Sequence, residues 1–323
     1  MRRTSTAVGL LLGFALDRVL GDPRRGHPVA GFGSAAMALE KVTYRDDRAA
    51  GVVYEVVLVG GVTGVGVGLS RLAGARRSAG ARAVGDVVLT TAATWTVLGG
   101  RTLTRVGREM ADHLEAGDLE AARALLPSLC GRDPEVLEAD GLARAALESI
   151  AENTSDATVA PLVWGAVAGV PGLLAYRAIN TLDAMVGYRN ERYSQFGWAA
   201  ARTDDVANLV PARVAGVLTT VLAPVVGGRP GEAWRAWRRD AAQHPSPNAG
   251  VAEASMAGAL GVRLGGRTEY RHGVEMRPTL GDGPAPRVPD LRRAVRLSGA
   301  VQLATALLAA ATAAGAGAAA RRR

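Results

Sequence analysis

The amino-acid sequence predicts an all-α, polytopic helical membrane protein with long polar helical segments between the membrane helices, and three observations carry that prediction. Uncharged apolar runs recur along the whole chain. The composition is 48% hydrophobic but only 4% aromatic. It rests on Ala, Val, Leu and Gly, small residues that let helices approach closely in a bilayer, where packing drives association. The lone cysteine, Cys130, excludes an internal disulfide framework and a cysteine-rich metal cluster, and suits a buried structural thiol. The competing class, a soluble protein with buried helices, has to account for runs as long as a bilayer is thick.

The first run, Thr6–Leu16, follows Arg2 and Arg3 and resembles the core of a secretion signal. No small-residue cleavage site follows it and Asp17-Arg18 comes directly after, so it reads as a retained membrane segment. Val56–Ser70 and Val87–Gly100 are near-continuous apolar stretches, each a little short of a full span. Ala157–Tyr176 and Leu297–Ala320 reach the roughly 20 residues that cross a hydrocarbon core. Val214–Gly228 gains length from Leu209–Ala212 before it. Pro161 and Pro171 mark 157–176 as a candidate broken or re-entrant element.

Polar segments too long for simple connectors lie between these runs. Arg101–Asp156 reads as helical hairpins: Asp118 caps Leu119–Leu126, Pro127 ends it, and Asp133-Pro134 opens a helical stretch towards Glu152. Asn180–Asn208 and Arg229–Arg296 are the others, and the second contains a Gly/Pro-rich loop at Gly281–Pro289. With no repeat and no second domain evident, residues 1–323 read as a single membrane-embedded domain. The formal net charge of +8 is almost wholly arginine, Lys41 being the only lysine. No basic cluster is interleaved with aromatics, which places nucleic acid last and leaves an anionic membrane face or a phosphorylated substrate. The positive-inside rule assigns the N-terminus, the loop with Arg71, Arg76, Arg77 and Arg82, and the Arg321–Arg323 tail to the cytoplasm. His113 and His272 read as surface residues, and Glu55 and Asp86 as interfacial or packed between helices.

Four blocks carry chemistry. Glu148, Glu152 and Asp156 are spaced i, i+4, i+8, so a continuous helix would align three carboxylates on one face. Like charges at that spacing destabilise a helix unless neutralised, and ionisable groups beside an apolar run are costly and functionally suspect. Mg²⁺, bound through a few carboxylates and substrate phosphates, would relieve the repulsion; a solvated face with Arg144 as partner is the plainer reading. The second block runs from Asn180 and Asp183 through Gly187, Tyr188 and Tyr193 to Asp204, Asp205, Asn208 and Arg213. Its acid–amide pairs suit a metal–phosphate site, and the Arg213 fork suits an anionic oxygen; alternatively Asp205 or Asn208 caps a helix starting at Pro211. The third, His244-Pro-Ser246-Pro-Asn248 on to Glu253, is a stiffened loop that presents His244, Ser246 and Asn248 for binding or proton transfer, or else a plain Asn-capped turn. The fourth places Asp17, Gly21, Asp22 and Pro23 ahead of His27-Pro28-Val29, where a turn at a membrane surface explains Gly and Pro but not Asp22 and His27.

Together these blocks resemble the CobD/CbiB family of cobalamin biosynthesis, the adenosylcobinamide-phosphate synthases. The resemblance includes 21–29, Gly131-Arg132-Asp133, Glu148–Trp164, Tyr176–Arg213 and Ser246–Gly266, and so covers most of the chain. Two departures are local: Ala157 stands where the family usually has Gly, and Val251-Ala252 where it has Trp-Pro. The resemblance implies a multi-pass enzyme of the inner (cytoplasmic) membrane. It would join (R)-1-amino-2-propanol or its O-phosphate to the carboxylate of adenosylcobyric acid as an amide, with ATP and Mg²⁺ for activation. Glu148, Glu152, Asp156, Asp183, Asp204 and Asp205 are then the expected Mg²⁺–ATP ligands, and Arg213 faces phosphate. His244 or His27 takes the ammonium proton, and Asn153, Asn180 and Asn248 orient amide or phosphate oxygens. Asp22, Tyr188, Tyr193, Asn208 and Ser246 complete the expected substrate contacts. Other late cobalamin-pathway membrane enzymes are candidate partners. A non-enzymatic membrane signalling protein of the related AmpE type would not need the dense carboxylates, and a transporter would place its site at the midplane of broken helices.

Overall fold

In the computed structural model, residues 2–23, 26–76, 78–270 and 273–319 are described. Arg77, His272 and Arg321–Arg323 lie outside them. The chain, expected to form one domain, folds into two compact units assembled from alternating stretches of sequence: 1–99, 160–208 and 305–323 in the first, 100–159 and 209–304 in the second.

The first unit contains α1 (Arg2–Leu20), α2 (Pro28–Thr43), α3 (Arg48–Gly74), α4 (Ala79–Val97), α8 (Ala160–Val186) and α9 (Trp198–Ala207). Small residues let α1 and α4 approach closely. A Cβ on Gly9 would lie 2.5 Å from the Thr90 Cβ, and one on Gly13 would lie 2.4 Å from that of Thr94. Position 9 against 90 and 13 against 94 means that α1 and α4 run parallel. At their far ends the Trp95 indole donates to the Gly21 carbonyl at 2.9 Å. Leu10, Phe14, Val97, Leu162 and Leu173 form the core there. A second cluster stacks Phe196 against Tyr44 and Tyr54 at centroid distances of 5.2 and 5.0 Å.

The apolar run 56–70 proves to be the middle of the 27-residue α3, which is long enough to span after all. The run 87–100 divides instead, because α4 ends at Val97 and the next helix begins at Gly100. Segment 157–176 is broken: Gly169 adopts φ 64°, ψ −146° inside α8. Pro171, which lacks an amide hydrogen, follows two residues later. Among the described residues four helical stretches are long and apolar enough to cross a membrane: Arg48–Gly74, Ala139–Val186, Leu209–Val226 and Val288–Gly315.

The second unit contains α5 (Gly100–Glu115), α6 (Leu119–Leu125), α7 (Ala139–Thr154), α10 (Leu209–Leu222), α11 (Pro230–Asp240), α12 (Ala249–Leu260), strands β1 (Leu264–Tyr270) and β2 (Gly273–Leu280), and the start of α13 (Val288–Ala319). The Asp118 carboxylate accepts from the Ala121 amide at 3.0 Å, which is the expected cap. The helix expected from Asp133-Pro134 begins only at Ala139, because the Asp133 carboxylate closes a local turn onto the Glu135 amide. Every residue of α12 is buried. The antiparallel β1–β2 hairpin was not foreseen in a chain read as all-α. It depends on Gly265 at φ 76°, where a Cβ would lie 1.9 Å from the Pro278 carbonyl oxygen.

Candidate functional site

The second unit buries an unusual set of charges between α7, α12 and the hairpin. Glu253 is the only ionisable residue of the wholly buried α12, and its side chain is 1% exposed. A carboxylate in that setting is costly unless paired or neutralised. Its Oε1 receives Arg277 from β2 at 3.2 Å, while Oε2 has no hydrogen-bond partner among the described residues. Burial pushes its pKa up to about 8, against the pull of Arg277.

Arg277 also contacts Nε2 of His244 and lies 3.5 Å from Glu148. His244 is pushed the other way, down to about 4, by burial and by the Arg277 charge, so its ring is neutral. Its Nδ1 faces Ser246, 3.0 Å from the amide and 3.2 Å from the carbonyl oxygen. Ser246 Oγ, rather than Asn248, accepts from the amides that start α12, at 3.3 and 3.2 Å. Asn248 is therefore available as the acceptor for Arg213 at 2.8 Å, so the guanidinium expected to face phosphate is partly committed.

Glu148, expected among the metal ligands, is a buried counter-ion. Arg132 pairs with Oε2, and the Gly265 amide donates to Oε1 at 2.8 Å. Arg144 holds the Gly265 carbonyl at 3.0 Å, so α7 holds both the amide and the carbonyl of one hairpin residue. The continuous carboxylate face expected over 148–156 is interrupted, because Ser155–Val159 forms a π-helical turn that rotates Asp156 out of register. Asn153 bonds back to Ser149 in its own helix, at 2.9 and 3.1 Å. Glu152 remains solvent-exposed and forms no ion pair among the described residues, in the field of Arg277, Glu148 and Arg132.

The first unit holds the remaining expected residues. Tyr176 donates to Asn208 Oδ1 at 2.9 Å, Asn208 Nδ2 to Asp204 at 3.0 Å, and Asn180 to the other Asp204 oxygen at 3.4 Å. This chain joins α8 to α9 and uses the Asn208 side chain that had been a candidate cap. Asp183 is half-buried one turn along α8 from Asn180, and Asp205 pairs with Arg202 at 3.3 Å. Tyr193 and Arg192 both donate to the buried Glu40, at 3.0 and 2.8 Å, whereas Tyr188 is exposed. His27 caps α2 by accepting from the Val29 amide at 3.1 Å, which accounts for a histidine at that turn without a substrate. Asp22 keeps one buried oxygen without a hydrogen-bond partner among the described residues.

Magnesium does not fit Glu148, held by Arg132 and the Gly265 amide, or Glu253, whose Oε1 is taken by Arg277. Among the described residues no three Asp, Glu, His or Cys side chains group to hold a metal.

The family model described as CobD/Cbib protein matches residues 10–298. A cobalamin biosynthesis protein CobD from Mycobacterium tuberculosis is 61% identical over 303 residues, 94% of each chain. Proteins of the same description from Geobacter metallireducens and Chromobacterium violaceum are 43% and 40% identical, covering 86% and 91% of this chain and 87% and 92% of their own. No solved structure matches.

The chain belongs to the CobD/CbiB family. That makes it a cobalamin biosynthesis protein, which implies a corrinoid substrate, and its four membrane-capable helices imply a bilayer. The roles of three members of the charge cluster in this CobD/CbiB chain escaped the sequence reading: Arg132, Glu253 and Arg277. Arg132 and Glu253 lie inside blocks that resembled the family; the sequence suggests Arg132 only as an alternative to Arg213 for holding phosphate, and assigns Glu253 no role. Arg277 lies outside every block, and only the hairpin brings it to α7.

Proposed function

We propose that this protein forms an amide between the carboxylate of adenosylcobyric acid and (R)-1-amino-2-propanol or its O-phosphate, in the cytoplasmic membrane, with ATP as the activating co-substrate. The observation that supports this most is a pair of guanidiniums, the buried Arg132 and the part-buried Arg277, whose field reaches a carboxylate open to solvent, Glu152. Buried positive charge favours a carboxylate or phosphate oxygen far more than the same charge in water does. An exposed anion beside it favours an ammonium group and accepts the proton that the amine must lose before attacking a carbonyl. Glu253 and His244 both hold the same terminal nitrogen of Arg277, and neither needs to meet substrate to do so. Magnesium, when bound, supplies charge shielding on the nucleotide phosphates. Glu152, or Asp183 and Asp204, would hold it together with phosphate oxygens and water.

Purified protein in detergent, given adenosylcobyric acid, Mg²⁺-ATP and each amine, should yield a corrinoid heavier by the amine less water, as read by mass. Corrinoid binding without ATP consumption or amide product would refute this reading and favour the signalling alternative.

A further inference from the structure

The first unit carries a hollow that the amide-forming reading does not use. A cavity of about 350 Å³ is lined by Arg3, Ser70, Arg71, Asp86, Thr90 and the backbone of 166–171. A second hollow of about 500 Å³ shares Arg71 and Asp86 with it and adds Arg82. Three guanidiniums thus meet one carboxylate. Arg3 and Arg71 form no ion pair among the described residues. The guanidinium of Arg76 lies over Gly85 at the same end of α4, where an added Cβ would come within 2.9 Å of Nε.

The convergence follows from the topology. Because α1 and α4 run parallel, Arg3 and Arg82 both stand at helix starts on one side, and the end of α3, with Arg71, lies at the same level. By the positive-inside rule that side is cytoplasmic. The cavity wall is also where α8 is broken at Gly169. Irregular backbone at membrane depth is tolerated where it lines a polar cavity or is buried in protein, because lipid offers no hydrogen-bond partner. A basic pocket between membrane helices, with hydroxyls and freed backbone groups in its wall, has the chemistry of a phosphate receptor.

We infer that the hollow between the starts of α1 and α4, the end of α3 and the break in α8 binds a phosphate-bearing anion, either an anionic lipid headgroup or a soluble phosphate compound. Arg3, Arg71 and Arg82 supply the charge, and Asp86 sets the side from which the phosphate enters. The site stands whether or not the chain forms amides.

The test is binding of two probes to the full-length protein in phosphatidylcholine nanodiscs. Phosphatidylglycerol doped into the disc is followed by native mass spectrometry, and inorganic pyrophosphate by calorimetry. Wild type should retain phosphatidylglycerol or bind pyrophosphate saturably. Arg71→Gln and Arg82→Gln should each weaken that binding about fivefold, as expected for the loss of one cation near a membrane surface. Arg105→Gln, an exposed arginine elsewhere, should leave it unchanged. Phosphatidylglycerol bound and not displaced by pyrophosphate identifies a lipid site; displacement identifies a soluble phosphate. Equal binding by wild type and both pocket variants, or no binding of either probe to wild type, overturns the site.

Discussion

Two residues that differ by one proton set the chemistry of the buried cluster. Glu253 titrates at about 8 and His244 at about 4 in the folded chain, so at neutral pH the proton resides on the acid, not on the imidazole. The consequences for stability have opposite signs. Glu253, raised above its unfolded value, stabilises the fold at low pH and loses that contribution as pH rises through about 8. His244, depressed below its unfolded value, contributes above its unfolded pKa of about 6.5 and loses that contribution as pH falls through about 4. Between about pH 6.5 and 8 only Glu253 acts, so detergent-solubilised wild type should lose stability across that window while Glu253→Gln stays flat. Parallel Tm–pH curves for the two proteins would contradict the assignment. The Arg132–Glu148 pair permits a sharper test. Arg132→Met leaves the buried carboxylate with only the more distant Arg277 and should cost up to about 3–5 kcal/mol. Adding Glu148→Gln should recover much of that loss, as read by chemical denaturation.

At the scale of elements, the β1–β2 hairpin determines whether Arg277 reaches the cluster at all. It is anchored through Gly265, whose amide Glu148 holds and whose carbonyl Arg144 holds. Gly265→Ala meets both a left-handed φ and the Pro278 carbonyl, and should destabilise the hairpin by more than about 1 kcal/mol. Amide-forming turnover should then fall much further than Tm, because α7 and α12 remain while Arg277 is displaced; equal loss of both would mean the hairpin is only structural. The α1–α4 contact fails differently. Gly13→Leu places a side chain where the Thr94 Cβ stands 2.4 Å from an added Cβ. Overpacking of about 1–3 kcal/mol is expected, measured as reduced Tm in detergent, with Thr94→Ala restoring part of it.

For the whole molecule, the parallel run of α1 and α4 makes a topological prediction. In a Cys130→Ser background, Thr4→Cys and Ser78→Cys should both react with an impermeant maleimide from the cytoplasmic side of membrane vesicles. Labelling from opposite sides would break the parallel arrangement. Cys130 is a suitable residue to remove, since burial pushes its thiol pKa up and leaves it a weak nucleophile.

The apolar runs, the small-residue composition and the order of the polar blocks were enough to identify an α-helical membrane protein of the CobD/CbiB family, because hydropathy and motif order are properties of the chain itself. The Asp118 cap and the break between Ala157 and Tyr176 were legible for the same reason, each being encoded by neighbours within one or two turns. The division into two units was not legible, because both are assembled from alternating stretches and no linker of distinct composition separates them. Nor was the fate of Glu148. Spacing alone makes it one of three carboxylates awaiting a cation, and only the tertiary fold brings Arg132 and Arg277 to it. Arg277 comes from a strand more than 100 residues away, carried by a hairpin whose bulge depends on Gly265. Local sequence determines where charges occur along a helix. Which of them are buried, and against what, depends on elements distant in the chain, since the cost of removing a charge from water is set by everything packed around it.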